Sequence, residues 1–255
     1  MTLFNGILLF AAATAAGLLN SVAGGGSFIA FPALIFTGVP PIPANATNTV
    51  ALWPGSVASV GAYRQRLPRS ARVMVPLVTI SIIGGVLGAV LLLHTPEATF
   101  LHLIAYLFGI ATLLFAFGKR MTRSLSGVIK RTGPPSWTII VCLTMVQLVI
   151  AIYGGFFGGG IGILMLAMLE MIHMDDIHAM NGLKAVLGSS INGAAVVTFI
   201  AARQIVWPQA LLMIVGAIAG GYGGAHFAQK IDARWTRAAV ISVGAGMTTY
   251  FFWRY

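Results

Sequence analysis

Asn20-Ser21-Val22-Ala23-Gly24-Gly25-Gly26-Ser27-Phe28-Ile29 and Tyr153-Gly154-Gly155-Phe156-Phe157-Gly158-Gly159-Gly160-Ile161-Gly162 are the two stretches on which the fold turns. Each sets a glycine triplet inside an apolar run. Glycine loses the most backbone entropy on becoming helical, so a triplet interrupts a helix. In a bilayer an unpaired backbone group costs several kcal/mol, so unwound chain survives there only inside protein or beside water. Helices broken at matching places in two halves point to a solute site near the bilayer midplane.

The composition supports a bilayer setting: 58% of the 255 residues are hydrophobic and only 8% are charged. Apolar runs at 3–23, 47–63, 73–94, 99–117, 138–153, 183–201, 209–228 and 238–252 make eight elements near the ~20 residues that cross hydrocarbon. The fold class expected is therefore an all-α integral membrane bundle. The run at 3–23 lacks a basic leading segment and enters the first triplet, so it reads as a retained helix rather than a cleaved leader.

The net charge of +10 sits in short stretches between the apolar runs, at 64–72, 119–131 and 230–237. That is the placement of cytoplasmic loops, and it argues against a nucleic-acid partner. Cys142 is the single cysteine, so no intrachain disulfide and no cysteine metal site can form. The five histidines fall at no metal-binding spacing, and no metal or cofactor is expected. No phosphate-binding Gly-x-x-x-x-Gly-Lys-Ser/Thr loop and no His-Glu-x-x-His motif occurs.

An internal repeat is visible by eye. Gly24–Gly26 matches Gly158–Gly160 at an offset of 134 (158 − 24), Asn48 matches Asn181 at 133 (181 − 48), and Gly84 matches Gly220 at 136 (220 − 84). Residues 1–118 then form a first membrane repeat, 119–136 a basic cytoplasmic linker containing Pro134-Pro135, and 137–255 a second membrane repeat. In each half a helix enters the triplet and a short apolar segment follows (28–36, then 163–172), too short to span and better read as re-entrant. A polar turn comes next, Pro40-Pro41-Ile42-Pro43-Ala44-Asn45 or His173-Met174-Asp175-Asp176. The prolines are expected to forbid regular helix, and Trp53-Pro54 to kink the one that follows.

If each broken helix is a hairpin that returns to its own side, the halves are inverted. Twelve Lys and Arg residues then lie inside, with only Arg203 and Arg254 outside. A full crossing makes the halves parallel and the split eleven to three. The inverted arrangement is preferred because a hairpin suits the short second arm. Gly84-Gly85…Gly88 and Gly220-Gly221…Gly224 have the small-residue spacing that lets membrane helices approach closely.

Chemistry concentrates after each polar turn. Asn181, Lys184, Gly188 and Asn192 share one helix face, with Ser189 close by. Lys184 is the one Lys or Arg well inside an apolar run, where a charge costs about 2.5–3.5 kcal/mol and marks a functional candidate; the bland alternative is a lysine that snorkels to the interface. In the first half Asn48, Ala51, Gly55 and Ser59 occupy the equivalent face, with Ala51 where Lys184 would be. Asn45, Thr47 and Asn48 read either as helix caps or as ligand contacts. With Gly25, Gly26, Ser27, Gly159 and Gly160 at the helix breaks, these residues outline a site between the halves holding one fixed positive charge among amides, hydroxyls and helix N-termini. Glu170 could carry a coupled proton but reads better as an interfacial residue beside Asp175-Asp176.

Gly-Gly-Gly-Ser-Phe-Ile-Ala-Phe-Pro-Ala-Leu at 24–34, Ala-Asn-Ala-Thr-Asn-Thr-Val-Ala-Leu-Trp-Pro-Gly-Ser at 44–56 and Asn-Gly-Leu-Lys-Ala-Val-Leu at 181–187 resemble the sulfite exporter TauE/SafE family, in order and over nearly the whole chain. The resemblance implies a multi-pass permease of the bacterial inner membrane. Its expected substrates are small sulfur-containing anions (sulfite, thiosulfate or organosulfonates such as sulfoacetate), moved mainly as export. The expected partners are that anion and the lipid bilayer, with a homodimer left open. A channel or permease for another small solute is the second reading. An intramembrane enzyme is the third, and it lacks a nucleophile with its base.

Overall fold

The structure, a computed structural model, describes residues 2–22, 25–67, 71–126, 137–170, 177–227 and 233–254. Gly24, the turn at 173–176, the linker residues 127–136 with Pro134-Pro135, and residues 230–232 of the third basic stretch lie outside the described residues, as do the side chains of Glu170, His178 and His226.

Among the described residues the regular structure is helical. The α-helices are α1 (Leu3–Val22), α2 (Ser27–Phe36), α3 (Pro41–Tyr63), α4 (Ala71–His94), α5 (Glu97–Ser126), α6 (Trp137–Phe156), α7 (Ile161–Glu170), α8 (Ile177–Ala201), α9 (Trp207–Phe227) and α10 (Ala233–Arg254), with one 3-10 turn at Arg64–Arg66. Five of them, α1, α4, α5, α6 and α8, contain stretches long and apolar enough to cross a membrane. α2 and α7 have only 10 residues each, about 15 Å of helix.

One expectation needs correction. The prolines after α2 do not exclude helix: Pro40 is the N-cap, Pro41 opens α3, and Ala44 N–H donates to Pro40 O at 2.8 Å. Backbone N–H groups of a first turn have no intrahelical partner, so proline there sacrifices no bond. α5 continues to Ser126. Lys119–Ser126 contains neither glycine nor proline, and nothing in it stops the helix. α3 also runs on through Pro54.

The helices pack in matched pairs. α1 lies along α9 and α4 along α6. In both pairs the chains run parallel: Phe10 and Thr14 carbonyls meet Gly216 and Gly220, and Leu148 and Ile152 carbonyls meet Gly84 and Gly88. At Gly88 and Gly220 a Cβ would fall on the facing backbone carbonyl, so these contacts require glycine. α3 crosses α8 antiparallel, with Tyr63 against Gly182 and Trp53 against Gly193. α5 crosses α10 antiparallel, with Tyr106 against Phe252 and Thr112 against Gly244.

Both breaks are hairpins. Gly26 returns to lie against Ala16 O, and Gly154 lies against Ile161. Gly25 (φ 93°), Gly158 (φ 80°) and Gly160 (φ 77°) supply the left-handed backbone that these reversals need. Buried Phe28, Phe31, Phe108 and Phe157 pack edge-on or tilted at ring separations of 5.3–6.1 Å and join the two hairpins.

Candidate functional site

The candidate residues separate into groups. α3 brings Asn45 and Asn48, three apart on one face, against both helix breaks. Asn45 Nδ2 donates to Phe156 O, at the end of α6, at 3.1 Å. Asn48 Nδ2 donates to Ser27 Oγ, at the start of α2, at 3.1 Å. Both side chains are buried, at 1% and 2% exposure, and neither Oδ1 has a partner. Thr47, fully buried, accepts from Val206 N–H at 3.1 Å and so ties α3 to the chain entering α9. Gly55, placed by sequence on the same face, is exposed.

The second group gathers around Lys184 on α8. Its Nζ donates to Asn181 Oδ1 at 2.9 Å, and its stem passes Gly162 in the first turn of α7, where a Cβ would sit 3.5 Å from Lys184 Cδ. The side chain is partly buried. Ile163 N–H donates to Gly160 O, while among the described residues the N–H groups of Ile161 and Gly162 have no backbone acceptor. Such groups at a helix start carry partial positive charge and bind anions. Gly159, whose carbonyl accepts from Tyr153 Oη at 2.7 Å, and Gly160 shape the approach to that helix start.

The start of α2 is different. Gly26 N–H already donates to Asn20 Oδ1 at 2.8 Å, Phe28 N–H to Gly25 O, and Ile29 and Ala30 N–H to Gly26 O. The two breaks were expected to contribute alike; at the first, Ser27 N–H is the one of these donors without a backbone acceptor among the described residues.

Nor do Asn48 and Lys184 converge on one point. The α3–α8 crossing pairs Tyr63 with Gly182 and Trp53 with Gly193, which leaves Asn48 and Lys184 about thirteen helical residues, roughly 20 Å, apart along it. Ser189 lies on another face of α8. Its carbonyl accepts from Trp53 Nε1 at 3.1 Å, and it lines a side groove of about 460 Å³ with Trp53, Val186 and Ser190. Asn192 is partly buried on α8.

Sequence reading missed Gly162. The offset of 134 that aligns the triplets places Phe28 opposite Gly162, as 133 places Ala51 opposite Lys184. Phe28 and Ala51 are buried at 1% and 0% exposure. Bulk sits on the hairpin in one half and on the crossing helix in the other, so the glycine makes room for the lysine.

The chain matches the family described as "Sulfite exporter TauE/SafE" over residues 9–251. It belongs to that family. TauE/SafE membership agrees with the similarity to a probable membrane transporter protein, ORF9, of Sinorhizobium sp (29% identical, covering 94% of this chain and 89% of the relative). A probable membrane transporter protein of Haemophilus influenzae is 28% identical over 94% of this chain and 92% of its own length. The probable membrane transporter protein YfcA of Escherichia coli K12 is 24% identical, with 94% and 87% covered. No solved structure matches. This TauE/SafE chain is a multi-pass membrane transporter, and its family and relatives carry no enzyme name.

Proposed function

We propose that this protein is a secondary transporter that exports a small sulfur-containing anion, such as sulfite, thiosulfate or an organosulfonate, across the bacterial inner membrane. The observation that carries the reading is Lys184 lying over Gly162 at the start of α7, where backbone donors remain open. One ammonium, the Asn181 amide and a helix N-terminus match a sulfonate or sulfite head, which offers three acceptor oxygens and negative charge. Gly159 and Gly160 lead into this seat, Asn192 lies about two turns further along α8, and Asn45, Thr47 and Asn48 join the moving parts.

The two halves act as inverted repeats. Exchanging α1–α5 with α6–α10 maps the α1·α9 pair onto α6·α4, and α3·α8 and α5·α10 onto themselves. Equivalent helices that meet antiparallel, as in these last two pairs, fit a two-fold axis in the membrane plane. Alternating access then follows from one half rocking against the other.

Reconstituted protein, offered labelled sulfite, thiosulfate, taurine and sulfoacetate, tests this. Wild type should carry at least one with saturation and counterflow, and Lys184→Ala should lose about tenfold or more, the worth of a charge-assisted hydrogen bond. Undiminished transport by Lys184→Ala removes the anion seat. Failure of wild type on all four removes the substrate class. Flux without counterflow favours a channel.

A further inference from the structure

We propose that Asn45 and Asn48 form a binding site for a desolvated monovalent alkali cation, separate from the anion seat. Two buried amide oxygens without partners, three residues apart on one helix face, carry the inference. Asn45's orientation is dictated by chemistry: Phe156 O can only accept, so the Asn45 amide nitrogen must face it and Oδ1 is the end left over. Cβ atoms three apart on a helix lie about 5–6 Å from each other, within reach of one ion held by both side chains.

An unmet buried acceptor costs about 1–3 kcal/mol, and two on one face are a poor surface for an anion. A cation relieves both. Phe156 is the last residue of α6, whose terminal carbonyls carry about half a negative charge. Ser27 Oγ adds a third neutral oxygen beside Asn48. Of the donors at the start of α2, which would oppose a cation, those of Gly26, Phe28, Ile29 and Ala30 are engaged by Asn20 and by Gly25 and Gly26 carbonyls, and among the described residues Ser27 N–H alone is left over. Among the described residues no His, Cys, Asp or Glu cluster fit for a metal exists, so the ligands are neutral oxygens and suit a monovalent ion rather than Ca²⁺.

The position gives the ion a role. Asn45 touches the second hairpin and Asn48 the first, so an ion between them ties both hairpins to α3. Its entry and release bias the motion of one half against the other, which couples a cation gradient to transport.

The test measures binding with no anion substrate present, so its outcome is independent of what the protein carries. Purified full-length protein is titrated with Na⁺, Li⁺ or K⁺ against choline at constant ionic strength, following Tm and displaceable ²²Na⁺. Wild type should show saturable stabilisation by at least one alkali ion over choline. Asn48→Leu, which removes one oxygen, should weaken binding about tenfold or more. Asn48→Asp keeps an acceptor toward Ser27, adds negative charge, and should bind the ion more tightly; it also guards against Asn48→Leu simply failing to fold. A water donating to both oxygens is the competing occupant, and it predicts no difference between alkali ions and choline. That result, or unchanged ion binding in both Asn48 variants, overturns the proposal.

Discussion

A lysine inside an apolar run can be read from sequence, because nothing else there is charged; the room it needs cannot. Lys184 stood out as the one cation within a hydrophobic stretch, whereas Gly162 was one glycine among 31. Only packing shows that the lysine stem lies across Gly162. Gly162→Ala places a methyl at ordinary contact distance, 3.5 Å from Lys184 Cδ, and should leave transport within about twofold of wild type. Gly162→Phe copies the residue of the first half and fills the place of the stem. Overpacking of this kind costs about 1–3 kcal/mol, so transport should fall roughly 5- to 100-fold. Thermal unfolding separates displacement of the lysine from general unfolding, and loss of transport in a variant of normal Tm is the expected outcome. The amides were legible as polar residues near a helix start, where capping and ligand contact look alike. Their actual partners, a carbonyl 111 positions away for Asn45 and a loop N–H 159 positions away for Thr47, follow from tertiary packing that no local pattern records.

At the scale of elements, the triplets announced both reversals because glycine is the residue that takes positive φ without strain. The error over Pro41 and Pro43 came from treating proline as a breaker at every position, when the first turn tolerates it. The hairpin turn can be tested through its backbone. Gly158 sits at φ 80°, so Gly158→Ala should lower stability by about 1–2 kcal/mol, the left-handed penalty for an L-residue. Gly246, within α10, has nothing within 4 Å of where a Cβ would be. Gly246→Ala should be neutral or raise stability by about 0.5–1 kcal/mol, since alanine is the better helix former. Tm measured in one detergent should move in opposite directions for the two substitutions, or fall for Gly158→Ala alone. Equal losses would mean that any added methyl destabilises this bundle and that the turn is not special.

For the whole molecule, the arrangement of the halves is the question that charge alone left close, at twelve to two against eleven to three. Helix direction weighs more. α3 and α8 run antiparallel, α4 returns from α3, and α9 returns from α8, so Arg72 at the start of α4 and Arg203 before α9 fall at opposite ends of the bundle. Both are exposed. Parallel repeats would instead set Arg72 and Arg203 on the same side of the membrane, because the broken helix of the second half then adds one crossing between them. Single cysteines at these positions, Arg72→Cys and Arg203→Cys, in a Cys142→Ser background separate the two arrangements. An impermeant maleimide applied to right-side-out vesicles should label position 203 and spare 72, and inverted vesicles should reverse the pattern. Labelling of both from one side would remove the in-plane two-fold axis. It would also remove the rocking of inverted halves, since equivalent helices could then no longer exchange inward-facing and outward-facing roles.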